Sequence, residues 1–329
     1  MKRTDSAALL LMLAIAIMDM GAVSPAAAAE RLPIRQDFES GRLDDGALAP
    51  CYRRENVLAN TADAARDGAR AARLEVFPQG QAPMPAQAIE MGAARPSPSC
   101  TDPAAPDTAY EDDGTERAEL WEPSKTRIAF GTEAWYGFSM RVDGTVPADD
   151  NRRLVIGQWK QSGGKSPFVA QRFGNRNFHI TFQQDARNGN ECRVLLAYQN
   201  EPAPQADSVD LTTGEPCQTD VVVERYSLLP SPFGAWTDLV YHLKGSTGTD
   251  GVLEVWADGA LVARATGRIG YASAGKQYFK FGPYRDNAPY TTSATIDSFA
   301  RGGSFSEVAS GLNRGAEGEI AARDVPARY

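Results

Sequence analysis

The chain has 329 residues, a formal net charge of −8, 42% hydrophobic residues and 23% charged residues. That composition belongs to a folded protein long enough for one large domain or two smaller ones. The acidic balance argues against generic nucleic-acid binding, which needs an excess of Lys and Arg over the phosphate charge.

In chain order, the first segment reads as a signal peptide rather than as structure. Lys2 and Arg3 precede an apolar stretch at 7–17, and alanines fill 26–29, which places cleavage before Glu30. The apolar stretch is too short to span a bilayer, and Asp19 and Pro25 follow it closely. We therefore expect export to the periplasm or the medium, with no membrane association. The expected organisation is a signal peptide at 1–29, one domain at 30–301 and a polar tail at 302–329.

Period-two alternation of apolar and polar residues predicts strands at 69–77, 135–142, 153–160, 167–173, 177–183, 193–199, 236–244, 252–257, 261–266, 277–284 and 293–299. Asp258-Gly259 between two of these runs predicts a tight hairpin, because that turn needs positive φ. Residues 79–115, 200–218 and 302–329 read as irregular. Many short strands separated by Gly, Pro, Asn and Asp predict an all-β fold, a two-sheet sandwich or jelly roll. Four cysteines in an exported chain predict two disulfides, and neighbour pairing gives Cys51–Cys100 and Cys192–Cys217 as the simplest of three connectivities.

Several catalytic signatures are absent or fail. Gly164-Lys165-Ser166 ends like a phosphate loop, but Trp159 stands where the motif needs glycine. There is no His-Glu-x-x-His and no Gly-x-Ser-x-Gly, and two histidines are a poor basis for a catalytic zinc. The paired carboxylates of a jelly-roll glycoside hydrolase are also missing as a pattern. No cofactor is expected. The acidic runs at 111–113 and 149–150 leave calcium as the one ion to consider.

Strand alternation groups the remaining candidates. Tyr278, Lys280 and Tyr284 share one face of their strand, with Gly282 between them as a gap over which a sugar ring could lie. Gln158 and Lys160 share a face, as do Arg117 and Glu119. His179 projects with Thr181 and Gln183, opposite Phe178, Ile180 and Phe182. His242 reads as structural.

Three motifs in order, Arg117-x-Glu119-Leu120, Gln158-x-Lys160 and Tyr278-Phe279-Lys280-x-Gly282-x-Tyr284, resemble the jelly-roll polysaccharide lyases, the glucuronan lyase, alginate lyase and heparin lyase I groups. The likeness runs from about Arg117 to about Phe299. It implies a concanavalin-like jelly roll with a cleft on its concave sheet. It also implies cleavage of a uronate-containing acidic polysaccharide by β-elimination, leaving an unsaturated uronate. On this resemblance Arg117 and Gln158 hold the substrate carboxylate, Tyr284 is the acid, and Lys280 neutralises acid groups of the sugar. Glu119, Tyr278 and Arg285 complete the substrate-binding set. Those lyases have histidine where this chain has Lys160, which leaves three candidates for the base: Lys160, His179 and Tyr284. It also leaves an alternative, a carbohydrate-binding jelly roll without catalysis. The expected partner is an acidic polysaccharide, not nucleic acid, and the expected state is a monomer.

Overall fold

The computed structural model describes residues 33–312 except 42, 44–46, 53–56, 62–64, 79–113, 145, 164, 187, 273–274 and 311. The expected signal peptide, the acidic run at 111–113 and the Cys51–Cys100 pairing lie outside the described residues, as does most of the irregular stretch at 79–115.

The described strands, in chain order, are β1 (Ile34–Gln36), β2 (Ala49–Tyr52), β3 (Val57–Thr61), β4 (Ala71–Val76), β5 (Thr115–Trp121), β6 (Ile128–Ala129), β7 (Ala134–Gly144), β8 (Leu154–Gln161) and β9 (Val169–Gly174). They continue with β10 (Asn177–Asp185), β11 (Glu191–Tyr198), β12 (Ser208–Asp210), β13 (Val221–Arg225), β14 (Thr237–Lys244), β15 (Ser246–Ala257), β16 (Ala260–Ile269), β17 (Lys276–Asp286) and β18 (Thr292–Gly302). One short helix, α1 (Phe305–Ala309), follows.

These strands form two nine-stranded antiparallel sheets, the sandwich that the alternation predicts. The back sheet runs β13-β16-β15-β14-β7-β18-β4-β3, with β1 on β18. The front sheet runs β12-β11-β10-β9-β8-β17-β5-β2, with β6 on β17. The inner faces meet through aromatics. Trp159 and Phe279 of the front sheet have ring centres 4.7 Å apart, and Trp159 lies 4.4 Å from Tyr241 of the back sheet. Phe178, Ile180 and Phe182 of β10 are fully buried in the same core. Burying such side chains supplies about 1.5–3 kcal/mol each relative to exposure, which is what holds the two layers together.

Asp258 and Gly259 have φ of 49° and 83°, and Ala257 pairs with Ala260 across them. The predicted two-residue hairpin therefore joins β15 to β16. Cys192 and Cys217 form a disulfide that ties β11 to the segment beyond β12.

The beginning of the expected tail is not loose. Ser304 caps α1 by accepting a hydrogen bond from the Glu307 amide at 3.4 Å, and the Glu307 carboxylate accepts from the Gly303 amide at 2.6 Å. Val308, Ala309 and Leu312 then bury themselves with Val240 and Ala300, against Trp135, Trp256 and Phe305.

Arg301 and Arg285 both form buried ion pairs. Arg301 of β18 meets Glu122, just past β5, at 2.6 Å with both side chains fully buried. Burial pushes the Glu122 carboxyl up, against the pull of Arg301. Arg285 of β17 pairs with Glu116 of β5 and donates to the Thr292 hydroxyl of β18 at 2.8 Å.

Candidate active site

Register across the front sheet sets the site out as a grid on its outer face. In one row Arg117 of β5 pairs with Tyr284 of β17, then Val155 of β8, Arg172 of β9 and His179 of β10. In a second row Trp121 pairs with Lys280, then Gln158, Ala170 and Thr181. Beyond it Tyr278 pairs with Lys160. The three motifs, distant in sequence, thus occupy the adjacent strands β5, β17 and β8.

At the centre of the grid is Glu119, whose side chain is fully buried. Its carboxylate accepts from Gln158 Nε2 at 2.5 Å, meets Arg117 Nε at 3.2 Å and lies 3.5 Å from Lys280 Nζ. Four of the expected residues are therefore one connected unit, and Glu119 fixes the other three. Burial drives the Lys280 pKa down to about 8, with Glu119 opposing the shift and Arg117 and Lys160 adding to it.

The Tyr284 ring lies between two guanidinium groups, Arg117 at 4.3 Å and Arg153 at 4.7 Å from its centre. Arg153 is itself held by Asp286 at 2.6 Å. Tyr278 packs edge-on against Trp121, with the Arg127 guanidinium 3.8 Å from its ring centre. Burial raises its phenol pKa. The Lys160 ammonium donates to the Lys165 carbonyl, and burial lowers its pKa.

Two expectations change. Gly282 is not an open floor for a sugar ring. Its φ is +128°, β17 bulges against β8 there, and a Cβ would sit 2.1 Å from the Ala118 carbonyl oxygen. The glycine is needed for close backbone approach. Arg285 does not reach the site. It is the neighbour of Tyr284 on a strand, so it points the other way, into the interior, where it is 1% exposed and paired with Glu116.

His179 stands on the same face but apart from the central group. Val155 and Arg172 intervene between it and Tyr284, a separation of three strands, about 14 Å at ordinary strand spacing. Its Nδ1 is 2.9 Å from the Asn177 carbonyl, so the ring donates there. Burial, helped by Arg172 and Arg193, lowers its pKa to about 4, so it is neutral and only weakly basic near pH 7.

Sequence reasoning missed four cations on this face: Arg127, Arg153, Arg172 and Arg193. The last two lie at outward positions of β9 and β11 opposite His179 and Gln183, and marking those positions along each predicted strand would have found them.

Away from this face, a cavity of about 250 Å³ lies by β1 and β18, lined by Glu39 and Asp297 among others. Those carboxylates already accept backbone amides, Glu39 from Ala69 and Arg70, and Asp297 from Arg66 and Asp67. Among the described residues no cluster of three or more His, Cys, Asp or Glu is arranged to hold a metal ion. Asp150 of the expected acidic run is engaged by Arg152 and Tyr290.

A family model described as polysaccharide lyase matches residues 43–300. The chain belongs to the polysaccharide lyase family. Among solved structures, an endo-β-1,4-glucuronan lyase from the fungus Trichoderma reesei is 14% identical. It matches over 84% of this chain and 97% of its own, with a TM-score of 0.53. At that identity the likeness establishes the shared jelly-roll fold. The alginate lyase A1-II' is 13% identical over 76% of this chain and 84% of its own, with a TM-score of 0.40. No curated protein matches the chain in sequence. Membership of the lyase family makes a polysaccharide the implied substrate.

Proposed function

We propose that this protein is an exported lyase that cleaves a uronate-containing polysaccharide by β-elimination on the outer face of the front sheet. One observation carries the reading. Arg117, Gln158 and Lys280 converge on the buried Glu119 carboxylate beside a tyrosine flanked by two guanidinium groups. Such a cluster suits a carboxylated sugar. Arg117 and Gln158 neutralise and orient the uronate carboxylate, which acidifies the C5 proton. Lys280 and Lys160 supply further positive charge.

Tyr284 then does the proton work on one face of the sugar. Its oxygen, as phenolate, takes the C5 proton. The electrons of that bond form the C4–C5 double bond, and the C4–O bond breaks. The same proton passes from Tyr284 to the departing oxygen, which restores the phenolate. Arg117 and Arg153 hold the Tyr284 ring in place through their contacts with its face. His179 takes no part, because of its distance and weak basicity. No electron transfer occurs, and we propose no cofactor.

The test is Tyr284→Phe, assayed on polyglucuronate, polymannuronate and polyguluronate. Removing one hydroxyl should abolish turnover on the responsive polymer while leaving its Kd within a few-fold of wild type. A fully active variant would remove Tyr284 from the reaction. Wild-type protein that binds one of these polymers with no cleavage would point to a carbohydrate-binding protein instead.

A further inference from the structure

The outer face of the front sheet carries a second concentration of positive charge that the reaction above does not use. Arg172 on β9 and Arg193 on β11 flank β10 from its two sides. Arg172 Nε donates to the Thr181 hydroxyl at 3.0 Å. With the Gln183 amide turned so that its nitrogen faces the Pro167 carbonyl, its oxygen accepts from Arg193 Nε at 3.2 Å. Both anchors are neutral. Tyr271, also against the Gln183 amide, donates to Glu191 at 3.1 Å, so that nearby acid is engaged by the phenol.

Among the described residues neither guanidinium forms an ion pair. The contrast with the other buried arginines is direct, since Arg285 meets Glu116 and Arg301 meets Glu122. Burial, with repulsion from Arg193, lowers the pKa of Arg172 to about 9, and burial lowers that of Arg193 against the pull of Tyr271 and Glu191. Their anchors, Thr181 and Gln183, are successive outward positions of β10, about 7 Å apart, and holding two guanidinium groups there, desolvated and without a carboxylate in ion-pair contact, costs folding free energy. An anion arriving between them would relieve that cost, and planar guanidinium forks suit a carboxylate.

Register places this pair relative to the reacting group. Arg172 is two strands from Tyr284 and Arg193 is four strands from β17, roughly 10 and 19 Å at ordinary spacing. That is too far for the carboxylate being activated by Arg117 and Gln158.

Resting on the lyase reading of this cleft, we infer that Arg172 and Arg193 form a second carboxylate subsite that binds another uronate of the same polysaccharide chain. The enzyme is therefore built for runs of uronates, and its affinity grows once an oligomer is long enough to occupy both places. Arg172 and Arg193 are binding residues, and the chemical step does not depend on them.

The experiment measures Kd, KM and kcat for wild type, Arg172→Gln, Arg193→Gln, the double variant and Arg193→Lys. The probe is whichever of polyglucuronate, polymannuronate and polyguluronate the wild type binds, alongside its carboxyl-reduced form. Lys244→Gln, remote on the back sheet, controls for net charge. Loss of one charge-assisted contact is worth about tenfold or more in affinity. The double variant should raise Kd and KM at least about tenfold with kcat within about threefold. Arg193→Lys should recover part of the binding, and the carboxyl-reduced polymer should not distinguish wild type from the double variant. The glutamine variants should melt at or above the wild-type temperature, since repulsion is removed, whereas purely structural arginines would melt lower. A double variant with KM and Kd within about twofold of wild type would overturn the subsite, as would a fall in kcat with KM unchanged. Wild-type binding without turnover would sink the lyase reading while Kd still decides the subsite, and binding to none of the three polymers would overturn both.

Discussion

Replacing Glu119 by Gln tests whether the centre of the site is an electrostatic unit. The substitution keeps shape and one acceptor but removes the charge shared by Arg117, Gln158 and Lys280. Removing one partner of a buried ion pair generally costs about 3–5 kcal/mol. Here Lys280 has an escape, because its pKa is already about 8. Without Glu119 that pKa falls further, and the ammonium can lose its proton rather than remain buried and charged. Each unit of that fall is worth about 1.4 kcal/mol. Arg117 cannot discharge, and with the weakened Gln158 hydrogen bond it accounts for about 2 kcal/mol more.

The expected loss is thus about 3 kcal/mol at pH 7. At pH 9 Lys280 is largely neutral in wild type too, so the loss shrinks by about 1 kcal/mol. Urea unfolding of wild type, Glu119→Gln, Lys280→Met and the double variant at both pH values gives the coupling directly. A coupling of about 1 kcal/mol or more at pH 7 that fades at pH 9 is predicted. Additive single substitutions, or a coupling equal at both pH values, would refute the shared-charge account.

Four further predictions concern charge, proton transfer, protonation and cross-linking. Lys280 is cationic below about pH 8, so KM for the polyuronate should rise as pH passes that value, and Lys280→Arg should flatten the rise. With Tyr284 carrying both proton transfers, Lys160→Gln should leave the shape of the kcat–pH profile unchanged, and loss of an alkaline limb would instead identify Lys160 as the base. His242 stacks on Trp135 with ring centres 4.1 Å apart, and its nitrogens meet Glu254 at 2.7 Å and Glu133 at 2.6 Å. Burial opposes its protonation, but the two carboxylates outweigh burial and raise its pKa. The stability it adds is therefore fully present below about pH 6.5 and is lost as pH rises through the raised value, so Tm should fall over that window. His242→Phe should remove this dependence, and an unchanged pH–Tm curve would count against the pairing. The Cys192–Cys217 bridge closes a separation of 25 residues. Replacing both cysteines by Ala should cost about 3.5 kcal/mol on the loop-entropy scale, read by urea unfolding, and no loss would mean the loop is ordered without it.

Period-two alternation made the front-sheet face legible wherever a strand had one apolar side. It grouped Tyr278, Lys280 and Tyr284, and Gln158 with Lys160, and positive-φ chemistry found the Asp258-Gly259 turn. It failed where that assumption fails. β5 is buried on both faces, with Glu116 and Glu119 as buried acids, so only the short run Arg117–Leu120 alternates and the extent of the strand is not marked. Edge strand β12 has a single apolar residue to pattern, and β13 opens with three valines in a row and so shows no alternation. Arg285 followed a motif's composition, although its odd position beside Tyr284 sends it inward to Glu116. The role of Glu119 as a hub depends on three side chains from three strands, which spacing within one strand does not reveal. Helix α1 was legible after all, since Ser304-x-x-Glu307 is a capping box before Val308 and Ala309.

The central claim is elimination on this face, and the product decides it most directly. Wild-type protein is incubated with the polyuronate it binds, and the fragments are read by ultraviolet absorbance and mass. Fragments that absorb as unsaturated uronates and are one water lighter than hydrolysis products are predicted. Saturated fragments carrying the full mass of hydrolysis would contradict the account.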